Sequence, residues 1–314
     1  MTDPTVSVIS PVFNEAAGIV EFCGRLRGIL SQMPYPYEVV FVDDGSTDGS
    51  TEAILDLQWE QCKVVQLVRN AGHQSALEAG LELAIGSLLI TMDSDGQHPP
   101  SLIPEMVRLA IAEDLDVVYT RREARQEDSV LKRTAALGYY KVARILTGID
   151  IPDSQADFRL ITRRVCSDIA RVPGEKVLRL LLPSIGYRSA VLTYEALPRI
   201  AGEGRFGFRR QIGMASSSIL GFSAKPLRLV ASMALVLSVV TFIWLITVFI
   251  TFLATRTVDG WASLMTAVLF VGSLTLLSLA IVGEYLARIH DLIKGHPRYV
   301  IDRGRPDPEQ RRAG

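Results

Sequence analysis

Residues 88–100 read LLITMDSDGQHPP, a short apolar run that ends abruptly in acidic and turn-forming residues. The run Leu88–Met92 is long enough for one buried strand, and the residues after it end that strand. Two carboxylates, Asp93 and Asp95, therefore stand two positions apart just past a strand. Because hard divalent cations prefer carboxylate oxygens and leave positions open for phosphate, this stretch predicts a cation site that can hold a diphosphate.

Similar strand-like runs and helical stretches surround this segment. The strand candidates are Val6–Ile9, Glu38–Val42, Lys63–Val68, Ser87–Met92 and Asp116–Tyr119, and the helical candidates include Ala17–Met33, Gln74–Ile85 and Leu131–Leu146. Near-continuous apolar strands that alternate with helices predict an α/β domain with a mainly parallel sheet. Ligands of such sheets bind beyond the carboxyl ends of the strands, which is where the polar segments of this chain fall.

The acidic pair has two interpretations. We expect Asp95 to be the main direct ligand of Mg²⁺ or Mn²⁺, Asp93 to reach a ribose or a cation-bound water, and Gln97 to assist. A bound cation makes a nucleoside diphosphate a better leaving group. The alternative is that both aspartates form a turn and cap a helix that starts near Pro99.

Polar residues follow the other strands as well. Glu15 is expected to bind ribose hydroxyls, and Asn14 to fix the loop that carries it. Asp44 is expected to accept hydrogen bonds from a nucleobase, whereas Asp43 is expected to organise its own loop. Turn formation and helix capping are the alternatives for all of these positions. The histidines His73 and His98 are predicted to be structural, hydrogen-bonded residues without a catalytic role.

Composition excludes some classes of function. Lys and Arg total 33 and Asp and Glu total 34, so the net charge is close to zero. The chain therefore has no overall positive potential that would favour nucleic-acid binding. Three cysteines without metal-type spacing indicate reduced thiols of a cytosolic domain. The first residues lack the basic and apolar regions of a signal peptide, so we expect the N-terminal part to stay in the cytoplasm.

Two stretches, Leu229–Leu253 and Trp261–Gly283, contain no Asp, Glu, Lys, Arg or His. Each exceeds the roughly 20 residues that span a hydrocarbon core, and buried helices of a soluble domain are the alternative. Basic residues flank the pair: Lys225 and Arg228 before it, and Arg288, Lys294, Arg298 and Arg303 after it. The positive-inside bias therefore places both outer ends in the cytoplasm. Phe208–Gly221 is predicted to be an interfacial amphipathic helix.

Four motifs in a fixed order carry a resemblance to a known family. They are Pro-x-x-Asn-Glu at Pro11–Glu15, Val-Asp-Asp-Gly-Ser at Val42–Ser46, Arg-Asn-x-Gly at Arg69–Gly72 and Asp-x-Asp-x-Gln-His-Pro-Pro at Asp93–Pro100. Together they resemble the family 2 glycosyltransferases of the inverting GT-A type, in the branch of polyprenyl-phosphate (dolichyl-phosphate-type) sugar transferases. The likeness runs to about Phe206, and Gly-Glu-Tyr-Leu-x-Arg at Gly283–Arg288 extends it beyond the apolar pair.

The resemblance implies a GT-A (Rossmann-like) domain followed by a two-helix transmembrane hairpin. The expected organisation is a cytoplasmic domain over 1–205, an interfacial segment over 206–226, a membrane region over 227–284 with helices at about 229–253 and 261–283, and a cytoplasmic tail over 285–314. It implies a multi-pass protein of a bacterial-type inner membrane. The implied reaction moves one sugar from a UDP- or GDP-linked donor to a polyprenyl phosphate, for cell-envelope or lipid-linked glycans.

The resemblance also implies site residues. The residues assigned to nucleotide-sugar binding are Pro11, Phe13, Glu15, Val42, Asp44, Asp93, Ser94, Gln97 and Arg121. Catalysis is assigned to Asp157 and Asp95, and binding of the acceptor phosphate to Arg199 and Arg205. The metal ligands are Asp95, Asp93 and Gln97. The family normally has Gly-x-Ser-Lys where this chain has Gly204 and Arg205, so the positive charge is kept and the hydroxyl is lost.

Two other functions stay open beside this reading. A processive polysaccharide synthase resembles it in the donor site, but none of the three tryptophans follows a Gln-x-x-Arg motif. An inactive membrane adaptor is the third reading, and the intact acidic residues argue against it. The sugar, the nucleotide and the metal are not identified. Oligomeric state is also open, although Gly272 and Ser273 offer small residues for helix contacts in a homo-oligomer.

Overall fold

The computed structural model describes residues 5–123, 155–172, 176–200, 260–294 and 297–302, together with isolated positions between 232 and 250. The chain divides into two compact units. The larger unit contains strands β1 (Val6–Val12), β2 (Tyr37–Asp43), β3 (Cys62–Gln66), β4 (Leu88–Thr91), β5 (Val117–Arg122), β6 (Gln155–Thr162) and β7 (Ser189–Tyr194). Its helices are α1 (Ala16–Leu30), α2 (Ser50–Leu55), α3 (His73–Leu83), α4 (Ile103–Ala112, after a 3₁₀ turn at Pro100–Leu102), α5 (Arg163–Ala170) and α6 (Leu178–Ile185).

The seven strands form one sheet in the order β3-β2-β1-β4-β6-β5-β7. Neighbouring strands are parallel except at β6, which is antiparallel to both β4 and β5. The prediction of an α/β domain with a mainly parallel sheet is confirmed. Strands β6 and β7 were not among the strand candidates, because neither stretch has a long apolar run.

Helices cover the sheet because each carries one apolar stripe. In α1, the residues Ile19, Phe22, Leu26 and Leu30 recur at helical spacing and are all fully buried. Phe22 meets Phe41 of β2 edge to face, with ring centroids 6.3 Å apart. Ligands of a sheet covered in this way bind beyond the carboxyl ends of its strands.

Residues 297–302 belong to the larger unit and pair with the chain at the carboxyl end of β3. The Val68 N–H donates to the Val300 carbonyl at 2.9 Å, and Leu67 forms an antiparallel bridge with Ile301 in the same region. Because β3 is the edge strand, this segment covers backbone groups that an edge would otherwise expose.

The smaller unit contains helix α7 (Trp261–Lys294), which has 34 residues. At 1.5 Å per residue it is about 51 Å long, more than a hydrocarbon core requires. Within the described part of the chain, Phe270–Ala287 is the one stretch long and apolar enough to cross a membrane, and none of it is buried. The predicted first span, 229–253, is described only at isolated positions; the predicted helices at 131–146 and 208–221 lie outside the described residues.

Candidate active site

The polar segments that follow β1, β2 and β4 meet at one edge of the sheet, as predicted. The Ser94 hydroxyl donates to the Pro11 carbonyl at 2.8 Å and joins the loop after β4 to the end of β1. The Asn14 side-chain oxygen accepts the Thr47 N–H at 2.9 Å and joins the loops after β1 and β2. These bonds hold the three loops as one platform.

Asp44 is held by the backbone of the loop that precedes α3. Its side chain is buried, and its two carboxylate oxygens accept the N–H groups of Ala71 at 2.6 Å and Gly72 at 3.0 Å. Burial raises the pKa of this carboxyl, although the two N–H donors oppose the shift. Asp44 therefore connects β2 to α3, and a contact with a nucleobase stays a prediction.

Asp93 lies between two histidines. Its backbone N–H donates to Nδ1 of His98 at 3.1 Å, and the His98 ring stacks on Phe158 with centroids 5.3 Å apart. His98 is thus a buried structural histidine, as the sequence predicts. The side chain of Asp93 lies between the two rings: its Oδ2 is 3.8 Å from Nε2 of His98, and its Oδ1 is 3.6 Å from Nε2 of His73. Among the described residues, this Oδ1 has no hydrogen-bond partner.

Asp157, on β6, completes this cluster. Nε2 of His73 lies 3.7 Å from its Oδ2, so one imidazole faces both Asp93 and Asp157. The guanidinium of Arg159 pairs with its Oδ1, and Nη2 of Arg179 lies 3.5 Å from its Oδ2. Burial raises the pKa of Asp157, but Arg159, Arg179 and His73 outweigh burial and bring the pKa to about 2. The carboxylate stays ionised throughout the physiological pH range.

Asp95 is paired with a residue that the resemblance assigns to the acceptor. Nη2 of Arg199 lies 3.2 Å from Oδ2 of Asp95, and the Gln97 N–H donates to Oδ1 at 3.0 Å. Gln97 therefore contacts Asp95 through its backbone. The structure places Arg199 beside the acidic pair; Arg205 lies outside the described residues.

The remaining predicted donor residues differ in exposure. Phe13 and Arg121 are exposed at this edge, and Glu15 is partly exposed. Val42 is fully buried. A Cβ added at Gly80 of α3 would lie 3.0 Å from a Val42 methyl, so this side chain packs under the helix. The Val42 side chain therefore packs against α3, and binding of nucleotide sugar at this position stays a prediction.

The residues present fit a divalent cation that the substrate helps to hold. Within the described residues, no three His, Cys, Asp or Glu side chains come together as a complete metal site. Asp93 and Asp95 offer oxygen ligands, and Asp93 Oδ1 is a buried acceptor without a hydrogen bond. Mg²⁺ and Mn²⁺ are commonly held by one or two carboxylates with phosphate oxygens and water. Two carboxylates and a diphosphate therefore suit this site.

Comparison with known proteins agrees with this geometry. The model of glycosyl transferase family 2 matches residues 7–170. The chain belongs to glycosyl transferase family 2. A second model, the GtrB C-terminal hairpin, matches residues 225–289. The protein is thus a GT-A glycosyltransferase with a C-terminal hairpin that associates it with a membrane.

Two relatives match this glycosyltransferase over nearly their whole lengths. The uncharacterised glycosyltransferase YkcC of Bacillus subtilis is 33% identical, covering 95% of this chain and 93% of its own. An SfII prophage-derived bactoprenol glucosyl transferase of Shigella flexneri is 33% identical, covering 96% and 99%. Among solved structures, glucosyl-3-phosphoglycerate synthase of Mycobacterium tuberculosis, in complex with Mn²⁺, UDP-glucose and phosphoglyceric acid, gives a TM-score of 0.51 at 17% identity, covering 69% of this chain and 78% of that one. That structure shares the fold.

Sequence reasoning missed two residues of the acidic cluster, Arg159 and Arg179, and it predicted only a structural role for the third, His73. Arg159 lies on β6 and is fully buried, a position that composition gives no reason to expect for an arginine. Its spacing from Asp157, two positions along one strand, was the only available signal, because side chains i and i+2 share a face. Arg179 comes from α6, so nothing local connects it to the site.

Proposed function

We propose that this glycosyltransferase transfers one sugar from a nucleoside diphosphate sugar to a polyprenyl phosphate at the cytoplasmic face of a bacterial inner membrane. The observation that carries the proposal is the meeting of Asp93 and Asp157 at His73, beside Asp95. It supports a donor site and an acceptor site that share one edge of the sheet. The hairpin match and the full-length likeness to a bactoprenol glucosyl transferase support a lipid phosphate as the acceptor.

The donor side of the proposal uses the loops after β1, β2 and β4. Asp93 and Asp95 would hold Mg²⁺ or Mn²⁺, which when bound neutralises charge on the leaving diphosphate. The exposed side chains of Phe13 and Arg121 are suited to the nucleoside and to the diphosphate, respectively. Either UDP or GDP satisfies these contacts.

The acceptor side determines what kind of chemistry is needed. An oxygen of the lipid phosphate forms the new bond to the anomeric carbon while the bond to the diphosphate oxygen breaks, with inversion at that carbon. A phosphate monoester has its second pKa near 6, so this oxygen is largely ionised at neutral pH and needs no strong base. The pKa of Asp157, about 2, makes it a weak base. We therefore assign Asp157 to orienting Arg179 and His73 at the acceptor.

The membrane part of the proposal makes α7 the second helix of a hairpin whose first helix is 229–253. The basic residues outside both apolar stretches favour a cytoplasmic location for the outer ends. The catalytic unit precedes the first span, so it lies on the same side. Multi-pass insertion with this orientation would bring a lipid phosphate to the donor site from the cytoplasmic leaflet.

A transfer assay tests the function directly. Purified full-length protein in lipid vesicles is incubated with undecaprenyl phosphate, Mg²⁺ and, in separate reactions, radiolabelled UDP-glucose, UDP-galactose, UDP-N-acetylglucosamine and GDP-mannose. The expected result is one labelled sugar per lipid in the organic extract with one of these donors. A labelled polymer would contradict the proposal in favour of a processive synthase. Absence of transfer from every donor by well-folded protein would contradict it altogether.

A further inference from the structure

Arg199 forms an ion pair with Asp95, the carboxylate that the proposed function assigns as a ligand of the cation. Its Nη2 lies 3.2 Å from Asp95 Oδ2, while the Gln97 N–H donates to Oδ1 at 3.0 Å. Both carboxylate oxygens of Asp95 therefore have a partner within the chain. A cation that binds Asp95 has to share an oxygen with one of these partners or replace it.

The segment that carries Arg199 is fastened to the same loop. The Ile200 N–H donates to the Asp95 carbonyl at 3.2 Å. The side chain of Ile200 packs on Gly96, which has φ +78°, and a Cβ at Gly96 would lie 2.4 Å from Ile200 Cδ1. Glycine permits both this backbone conformation and this close approach. The contact between Arg199 and Asp95 is thus built into the packing of the two segments.

The two partners of Asp95 differ in how easily they leave. The Gln97 N–H belongs to the backbone of the loop itself, so it moves only when the loop moves. The Arg199 guanidinium ends a flexible side chain that is 33% exposed, whereas the Asp95 side chain is 14% exposed. A cation at Oδ2 would also lie beside the positive charge of Arg199, and like charges at that separation repel. Arg199 is the partner that a cation displaces.

We propose that Arg199 pairs with Asp95 only until the divalent cation binds to Asp95. The guanidinium of Arg199 then pairs with a substrate phosphate. This inference rests on the cation assignment in the proposed function. Guanidinium groups bind phosphate through paired, charge-assisted hydrogen bonds, so the released Arg199 gains a partner of opposite charge. Cation and nucleoside diphosphate then favour each other's binding, and this coupling is reciprocal.

Two titrations of the full-length protein test the exchange. Free Mn²⁺ is measured by electron paramagnetic resonance as Mn²⁺ alone is added to wild-type protein and to the Arg199→Gln variant. The variant is expected to bind Mn²⁺ about fivefold more tightly, because the competing charge is gone. UDP and GDP are then titrated separately at saturating Mn²⁺, where the variant is expected to bind the accepted nucleotide about tenfold more weakly. Arg199→Lys, which keeps a charge, should lie between the two for Mn²⁺.

A third measurement shows whether Arg199 pairs with a phosphate of the donor or with the phosphate of the acceptor. If Arg199 turns to the acceptor and not to the donor, nucleotide affinity is unchanged in Arg199→Gln and the KM for undecaprenyl phosphate rises about tenfold instead. Both results support the exchange, since tighter Mn²⁺ binding accompanies weaker substrate binding. A purely structural role for Arg199 would weaken Mn²⁺ and substrate binding together, and that result would overturn the proposal.

Matched variants distinguish this inference from the proposed function. Arg164→Gln removes a similar ion pair, with Asp116 at 2.6 Å, and should leave Mn²⁺ binding unchanged. If Asp95→Asn abolishes Mn²⁺ binding but Arg199→Gln does not tighten it, only the exchange is wrong. If Asp95→Asn leaves Mn²⁺ binding intact, the cation assignment is wrong and the exchange is wrong with it. Circular dichroism and thermal melting establish that each variant is folded.

Discussion

Two groups of carboxylates lie at this edge of the sheet, and they differ in what holds them. Asp43, the last residue of β2, accepts the Ser46 N–H of its own loop, and Asp44, which follows it, accepts the N–H groups of Ala71 and Gly72 in the loop before α3. Asp93, Asp95 and Asp157, on the other side, face the charged or titratable side chains of His73, Arg159, Arg179 and Arg199. A backbone donor is fixed by the fold, whereas a partly exposed side chain can turn away. The first group therefore builds the site, and the second can exchange its partly exposed partners, His73, Arg179 and Arg199, for ligands.

The largest effect is expected from Asp95→Asn. The amide keeps the size of the side chain but loses the negative charge, so transfer should fall about a thousandfold, equivalent to about 4 kcal/mol of transition-state stabilisation. Initial rates in the transfer assay measure this loss. Membrane insertion and the melting temperature should change little.

The matched control for Asp95 is Asp116. Its side chain is similarly buried and also pairs with an arginine, Arg164. It immediately precedes β5, which runs parallel to β4 because both are antiparallel to β6, so it lies at the opposite edge of the sheet. Asp116→Asn should retain transfer within about threefold. Equal losses in the two variants would show that the pairing with arginine, and not the position at the carboxyl edge, matters.

Asp157→Asn should affect stability next most strongly. The amide leaves the fully buried Arg159 without its counter-charge, which costs about 3 kcal/mol and lowers the melting temperature by about 10 °C. Asp114→Asn, which breaks an exposed pair with Arg188, should cost less than about 1 kcal/mol. Scanning calorimetry of both variants in detergent measures the difference, and equal costs would show that Arg159 does not need this partner.

The same variant has a predictable pH dependence. The folded-state pKa of Asp157, about 2, lies below the unfolded value. The ion pair therefore contributes its full stability above the unfolded pKa of about 4 and loses it as the pH falls through the folded pKa. The gap in melting temperature between wild type and Asp157→Asn should be constant from pH 6 to 8 and narrow as the pH falls from about 4 toward 2. A gap that stays constant down to pH 2 would contradict the depressed pKa.

The smallest effect is expected from Asp44→Asn, and it sharpens the comparison. The amide nitrogen cannot accept the N–H that one carboxylate oxygen accepts, so a buried donor loses its partner at a cost of about 1–2 kcal/mol. The expected signature is a melting temperature lower by about 3–6 °C, with Mn²⁺ affinity unchanged. If Mn²⁺ binding weakened as it does in Asp95→Asn, the division between backbone-held and side-chain-held carboxylates would be wrong.

The sequence predicted the half of the site that lies after β1, β2 and β4. Each of those strands is an apolar run followed directly by its candidate site residues. The strand and the residues that it positions are therefore predicted from one local stretch of sequence. It did not predict the half around Asp157 in physical terms. Strand β6 alternates polar and apolar residues, and its antiparallel insertion between β4 and β5 depends on pairing partners distant in sequence. The role of Asp157 came only from the family resemblance.

By itself the sequence determined a mainly parallel α/β sheet, an acidic pair at one strand end and a long uncharged C-terminal stretch, because these follow from local hydrophobic patterning. Only the tertiary structure decided that His73 faces Asp93 and Asp157, that Arg159 is buried as a counter-charge and that Arg199 lies on Asp95. It also decided that residues 297–302 pair with the chain at the carboxyl end of β3. The physical reason is that charge pairing and strand order depend on which distant segments the core brings together. The local hydrophobic pattern does not specify contacts between residues that are far apart in sequence.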